Sequence, residues 1–175
     1  VALDDGRLIG AEALLRWNDD QLGRINPSEF VPLAEERGLI SELGTWVVQQ
    51  ACRQLLQWDA ELRVFPGLLA LNISPRQFDD PGFAGKLIAQ LHQAQVAPNR
   101  FDLELTESGI MLDPEGSLQT LVTLRNAGFT LSLDDFGMGY SSLTHLKGFP
   151  LDQIKLDRSF VSGMLEEPHD YAIVV

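Results

Sequence analysis

Apolar residues recur along the chain at two spacings, and their alternation lays out the elements. Short β-rich runs predict strands over 8–16, 68–72, 101–105, 130–133 and 151–156. Between the strands the period lengthens. A helix is expected over 27–37, with Asn26 as its cap, Pro27 in its first turn and Gly38 as its stop. A long amphipathic helix over 41–62 repeats Leu43, Val47, Ala51, Leu55 and Trp58 at helical spacing. Asp80-Pro81 opens a helix that runs to Ala94. Asp113-Pro114 caps another, whose Leu118, Leu121 and Val122 precede a stop at Gly128. A short helix is expected over 141–147, with further helix starts near Ser159 and His169. Strands alternating with helices, through connections too long for hairpins, predict a parallel sheet with helical crossovers.

Polar residues interrupt this pattern at the C-terminal ends of the strands. Glu12, Asn72, Glu104 with Glu107, Asp134 with Asp135, and Lys155 with Asp157 occupy those positions. Singly, each is explained as a loop start or a helix cap. Together they point elsewhere: the strands of a parallel sheet end on one rim, where α/β folds place their sites. Glu12, Asn72, Glu104, Asp134 and Asp135 are therefore expected to face one cavity. Carboxylates gathered so closely need counter-charge. An all-oxygen set with one carboxamide suits Mg²⁺ or Mn²⁺ better than zinc, and two ions is the arrangement for in-line attack on a phosphate ester. Lys155, flanked by Ile154 and Leu156, is costly unless it points into a polar cavity. It is expected to hold or activate the attacking water, with Arg16 free for an anionic substrate.

Composition narrows the partners. The 175 residues carry 13 Lys+Arg against 25 Asp+Glu, a formal charge of −12. Such acidity argues against a nucleic acid polymer and leaves small anions, bridged by cations. His92, His145 and His169 lack a ligand spacing, and Cys52, the single cysteine, reads as a semi-buried helix residue rather than a nucleophile. No apolar run approaches the roughly 18–20 residues of a membrane span, and no basic leader opens the chain, so a cytoplasmic location is expected. Membrane anchoring elsewhere in a parent protein remains compatible. Gly137 and Gly139 lack the phosphate-loop spacing and read as a lid or switch after the aspartate pair.

Five segments in order carry a resemblance: Glu12-Ala13-Leu14-Leu15-Arg16-Trp17, Leu71-Asn72-Ile73-Ser74, Glu104-Leu105-Thr106-Glu107-Ser108, Asp134-Asp135-Phe136-Gly137-Met138-Gly139-Tyr140 and Ile154-Lys155-Leu156-Asp157. The chain resembles the EAL-domain family of bacterial cyclic di-GMP phosphodiesterases. The resemblance implies an α/β fold, a (β/α)8 TIM-barrel-like EAL fold with one antiparallel strand. It also implies hydrolysis of cyclic di-GMP to linear pGpG with two Mg²⁺ or Mn²⁺ ions. By motif position, Glu12, Asn72, Glu104 and Asp134 would ligate metal, with Asp135 on the second ion. Lys155, Glu12 and Glu107 would form the catalytic set, Lys155 positioning the water and Glu107 anchoring the glycine loop. Leu15 and Arg16 would contact substrate. Met138 stands where the family commonly has threonine.

The family's preceding strand, and a later glutamate and glutamine, have no counterpart in residues 1–175. An α/β barrel takes about 250 residues, so these residues are expected to be a truncated EAL domain forming a partial barrel. A homodimer, and fusion to sensory or cyclase-like domains, are further expectations. The competing reading is a catalytically inactive cyclic di-GMP receptor or protein-interaction module. Retention of Glu12, Asp134 and Asp135 favours the enzyme.

Overall fold

The computed structural model describes residues 1–62, 64–136, 147–165 and 171–172. In chain order its elements are β1 (Gly10–Ala13), β2 (Trp17–Asp19), β3 (Gly23–Ile25), α1 (Pro27–Glu36), α2 (Ile40–Leu62), β4 (Leu68–Ile73), α3 (Pro75–Phe78), α4 (Phe83–Ala94), β5 (Phe101–Thr106), α5 (Glu107–Met111), α6 (Pro114–Ala127), β6 (Thr130–Phe136), β7 (Gln153–Leu156) and α7 (Arg158–Gly163). Strands β1, β4, β5, β6 and β7 pair in that order, each neighbouring pair parallel. The sheet curls into part of a TIM-like barrel. The antiparallel strand that the resemblance implies is not among the described strands of this sheet.

Strand alternation divides the sheet into two chemistries. Ala11, Ala13, Leu69, Leu71, Ile73, Phe101, Leu103, Leu105, Leu131 and Leu133 point outward. They pack with Val48, Ala51, Cys52 and Leu55 of α2, Leu87 and Leu91 of α4, and Leu121 and Leu124 of α6. Cys52 is 2% exposed, and burial pushes its thiol upward, so it is a core residue. The opposite face carries Glu12, Asn72, Asp102, Glu104, Thr106, Ser132, Asp134 and Lys155, the polar lining of the curl. Among the described residues no helix is long and apolar enough to cross a membrane.

Several sequence expectations need correction. The first strand is shorter than 8–16, and a hairpin follows it: β2 pairs antiparallel with β3. Its turn is built by Asp19, whose Oδ1 accepts from the Gln21 and Leu22 amides at 2.9 Å, and by Gly23 at φ +72°. The helix expected from Asp80 starts at Phe83, because Asp80 Oδ1 instead accepts from the Gly82 amide in a turn. A short unpredicted helix, α3, precedes it, with Ser74 and Gln77 forming a capping box. A second, α5, begins at Glu107 behind the Thr106 cap.

Strand β6 extends through both aspartates to Phe136. The fifth sheet strand starts at Gln153 rather than at 151, since the Asp152 carboxylate accepts from the Leu131 amide where a ladder carbonyl would stand. Asp157 caps α7, its Oδ1 accepting from the Ser159 amide at 2.8 Å. The caps at Asn26 and Asp113, and the left-handed stop at Gly128, are as expected. The helix expected over 141–147 and the start near His169 lie outside the described residues, as do Gly137, Met138 and Gly139.

Candidate active site

The register of the sheet sets the polar face in rows. Asn72 on β4 stands opposite Glu104 on β5, and Glu104 opposite Ser132 on β6; one step further along, Thr106 stands opposite Asp134. Glu12 on β1 completes the rim from the other side. Its Oε1 accepts from Asn72 Nδ2 at 2.8 Å, a contact spanning 60 residues of chain. Lys155 on β7 crosses β6 to donate from Nζ to Glu104 Oε1. Glu104 is 2% exposed, and the Lys155 side chain is about one-third exposed. The expensive placement of Lys155 is thus resolved by a buried carboxylate, which charge-assisted pairing stabilises.

Asp134 lies on β6, between the strands that carry Glu104 and Lys155. Burial pushes its carboxyl above the ordinary value of 3.8, and like charge on Asp135, Glu12 and Asp157 pushes the same way against the Asp135 amide. The ladder slips between Leu133 and Phe136, and Asp135 takes a left-handed backbone at φ +54°. This bulge turns the Asp135 side chain out to an exposed position beside Asp134. Aspartate tolerates such a conformation better than most residues.

Leu15 and Arg16 line a cavity of about 480 Å³ that extends from the rim, past Asn72, Glu104 and Thr106, into a recess between α1, α2 and α4. Arg16 is exposed, with Nη1 donating to the Leu15 carbonyl at 2.7 Å. The polar part of the recess includes Glu35 and Ser74, hydrogen-bonded to one another. Neither was singled out from the sequence. Glu35 looks like an ordinary helix-surface residue, and only the fold brings it across to the end of β4. Glu107 is 7% exposed in the first turn of α5, and its Oε1 has no partner among the described residues. Also missed was Asp102, 5% exposed, whose Oδ1 accepts from Ser132 Oγ at 2.7 Å. The signal was available: a charged residue between Phe101 and Leu103 is as anomalous as Lys155 between Ile154 and Leu156.

Among the described residues no three carboxylate, imidazole or thiolate groups converge into a ready-made ion shell. The donor chemistry nevertheless fits a hard divalent cation. Every rim donor is an oxygen, and the Asp134 carboxyl, raised by burial first and by the charges of Asp135, Glu12 and Asp157 after it, would be relieved by a cation. In this arrangement Glu12 is engaged by Asn72 and Glu104 by Lys155, so an ion would compete with those partners.

The family model described as EAL domain matches residues 1–175. Among curated proteins, the chain is 40% identical over 178 residues to the bifunctional diguanylate cyclase/cyclic di-GMP phosphodiesterase MucR of Pseudomonas aeruginosa, covering 99% of this chain and 25% of that protein. It is 40% identical over 177 residues to the cyclic di-GMP phosphodiesterase RocR of the same organism, covering 99% and 44%. Among solved structures, the c-di-GMP complex of the PaMucR phosphodiesterase superposes with a TM-score of 0.88 at 42% identity, over 97% of this chain and 68% of that one. The first curated relatives are much longer, and the chain spans 20% of their length.

Proposed function

The chain belongs to the EAL domain family, and from that premise we propose that it hydrolyses cyclic di-GMP to linear pGpG. The observation that carries this reading is the pair of long-range contacts, Glu12 with Asn72 and Glu104 with Lys155, on the polar face of the sheet that also carries Asp134. The net reaction adds one water. Its oxygen bonds to phosphorus, the bond from phosphorus to the 3′ oxygen breaks, and that oxygen leaves as a hydroxyl.

Glu12, Asn72, Glu104, Asp134 and Asp135 would hold Mg²⁺ or Mn²⁺, which when bound lowers the pKa of water and offsets phosphate charge. Lys155 orients the water from the β7 side through its ammonium. Arg16, exposed beside the cavity, meets the anionic diester, and Leu15 gives the nucleotide an apolar wall. Glu107 anchors the loop that follows Asp135. Two phosphates bring negative charge to an acidic rim, so substrate binding depends on cations there. The parent protein carries further domains, a reading supported by the length of its relatives, and acts as a cytoplasmic homodimer.

The test is turnover by the full-length parent with Mg²⁺ or Mn²⁺, read as pGpG formed from cyclic di-GMP. Glu12→Ala is expected to abolish it. Binding of cyclic di-GMP without hydrolysis by the wild type would replace the enzyme reading with a receptor.

A further inference from the structure

Asp102 plays no part in the chemistry above, yet its carboxylate is buried with a single hydroxyl partner among the described residues. It lies on β5 two residues before Glu104, on the same polar face, 5% exposed. Its one described hydrogen bond comes from Ser132 Oγ, and Ser132, fully buried, stands directly opposite Glu104. Asp102 is the next side chain along this face from Glu104, the carboxylate that accepts from Lys155 Nζ. Burying a carboxylate with one hydroxyl partner costs folding stability. A neutral amide would fill the same space without that cost.

We propose that Asp102, held by Ser132, is a positioning residue that keeps the Lys155 ammonium turned into the curl when Glu104 is drawn toward a cation. Lys155 hangs on a flexible four-carbon stem, and Glu104 is its only described carboxylate partner. Glu104 cannot serve an ion and Lys155 equally. Once it turns to an ion, the negative charge left below the rim to hold Lys155 is Asp102. The kinetic part of this inference rests on the phosphodiesterase reading; the electrostatic part does not.

The experiment uses the full-length parent in two arms. In the first, thermal melts compare wild type, Asp102→Asn, Lys155→Met and the double variant. Asp102→Asn is expected to melt at or above wild type. Lys155→Met is expected to lose about 2–4 °C less in the Asp102→Asn background than alone. Equal losses in both backgrounds overturn the coupling. In the second arm, Asp102→Asn lowers kcat for cyclic di-GMP by about tenfold with KM within about twofold, and Ser132→Ala gives a smaller fall of the same kind. Unchanged kcat in a folded Asp102→Asn protein overturns the positioning role. Should wild type fail to hydrolyse cyclic di-GMP at all, the phosphodiesterase reading falls and the melts alone decide.

Discussion

Asp134 carries an electrostatic penalty within a single residue. Its carboxyl is raised by lost hydration first and by neighbouring carboxylates second. The sign follows from linkage: a raised acid costs nothing below its ordinary value of 3.8, and its penalty grows as pH rises through and beyond that value. At neutral pH the folded protein therefore carries a penalty that either a cation or a neutral side chain removes. Asp134→Asn is expected to raise the melting temperature in chelator by a few degrees, about 2–4 °C. Added Mg²⁺ or Mn²⁺ should raise that of wild type and leave the variant nearly unmoved. Equal responses of the two proteins would place the cation elsewhere. The same residue shows what a sequence can disclose. An Asp-Asp pair after an apolar strand announced charge at a rim, but the slip that parts Asp134 from Asp135 has no signature in the residues themselves.

At the scale of elements, the seam between β1 and β4 depends on a close approach. A Cβ on Gly67 would stand 2.5 Å from the Ile9 carbonyl carbon and oxygen and 2.6 Å from the Gly10 nitrogen, all backbone atoms that cannot swing aside. Gly67→Ala should therefore push β1 away and cost about 1–3 kcal/mol in chemical denaturation. Because β1 presents Glu12 to Asn72, turnover should fall as well. A fully stable, fully active variant would show the seam to be looser than drawn. Most elements were legible from periodicity and caps: α1 behind Asn26, α6 between Asp113 and Gly128, and the parallel strands with their helical crossovers. What escaped was short and local. The β2–β3 hairpin spends only three residues on each strand, too few for alternation to register. Helices α3 and α5 sit directly behind strands, where Ser74 and Thr106 read equally well as strand ends or as caps.

Taken as a whole molecule, the formal charge of −12 sets acid behaviour through opposed groups. Far from the rim, Asp59 receives both terminal nitrogens of Arg100 at 2.8 and 2.9 Å and the Phe65 amide at 2.7 Å, tying the end of α2 to the turn before β5. The Arg100 hydrogen bonds, with the Phe65 amide behind them, hold its carboxyl down from 3.8 to about 2. A lowered acid stabilises fully above 3.8, and that contribution is lost as pH falls toward about 2. Asp102 and Asp134 behave oppositely, shedding their penalties as they protonate. Asp59→Asn should thus melt below wild type at about pH 6, with the gap closing between about pH 4 and pH 2. A gap independent of pH would mean that the clasp works by packing alone.

The two-faced sheet has a further consequence, in how mutations divide between folding and chemistry. Through β1, β4, β5 and β6, odd-numbered residues such as Leu71, Leu103 and Leu133 face the helices, and even-numbered ones such as Glu12, Asn72, Glu104 and Asp134 face the curl. In β7 the parity is opposite, because Gln153 pairs with Ser132, and Lys155 therefore faces the curl. Neighbours one peptide bond apart therefore answer to different demands, one to the packing of the core and one to the polar lining of the curl. Substitutions at alternate positions can change the chemistry of the curl while the helical face holds the fold constant.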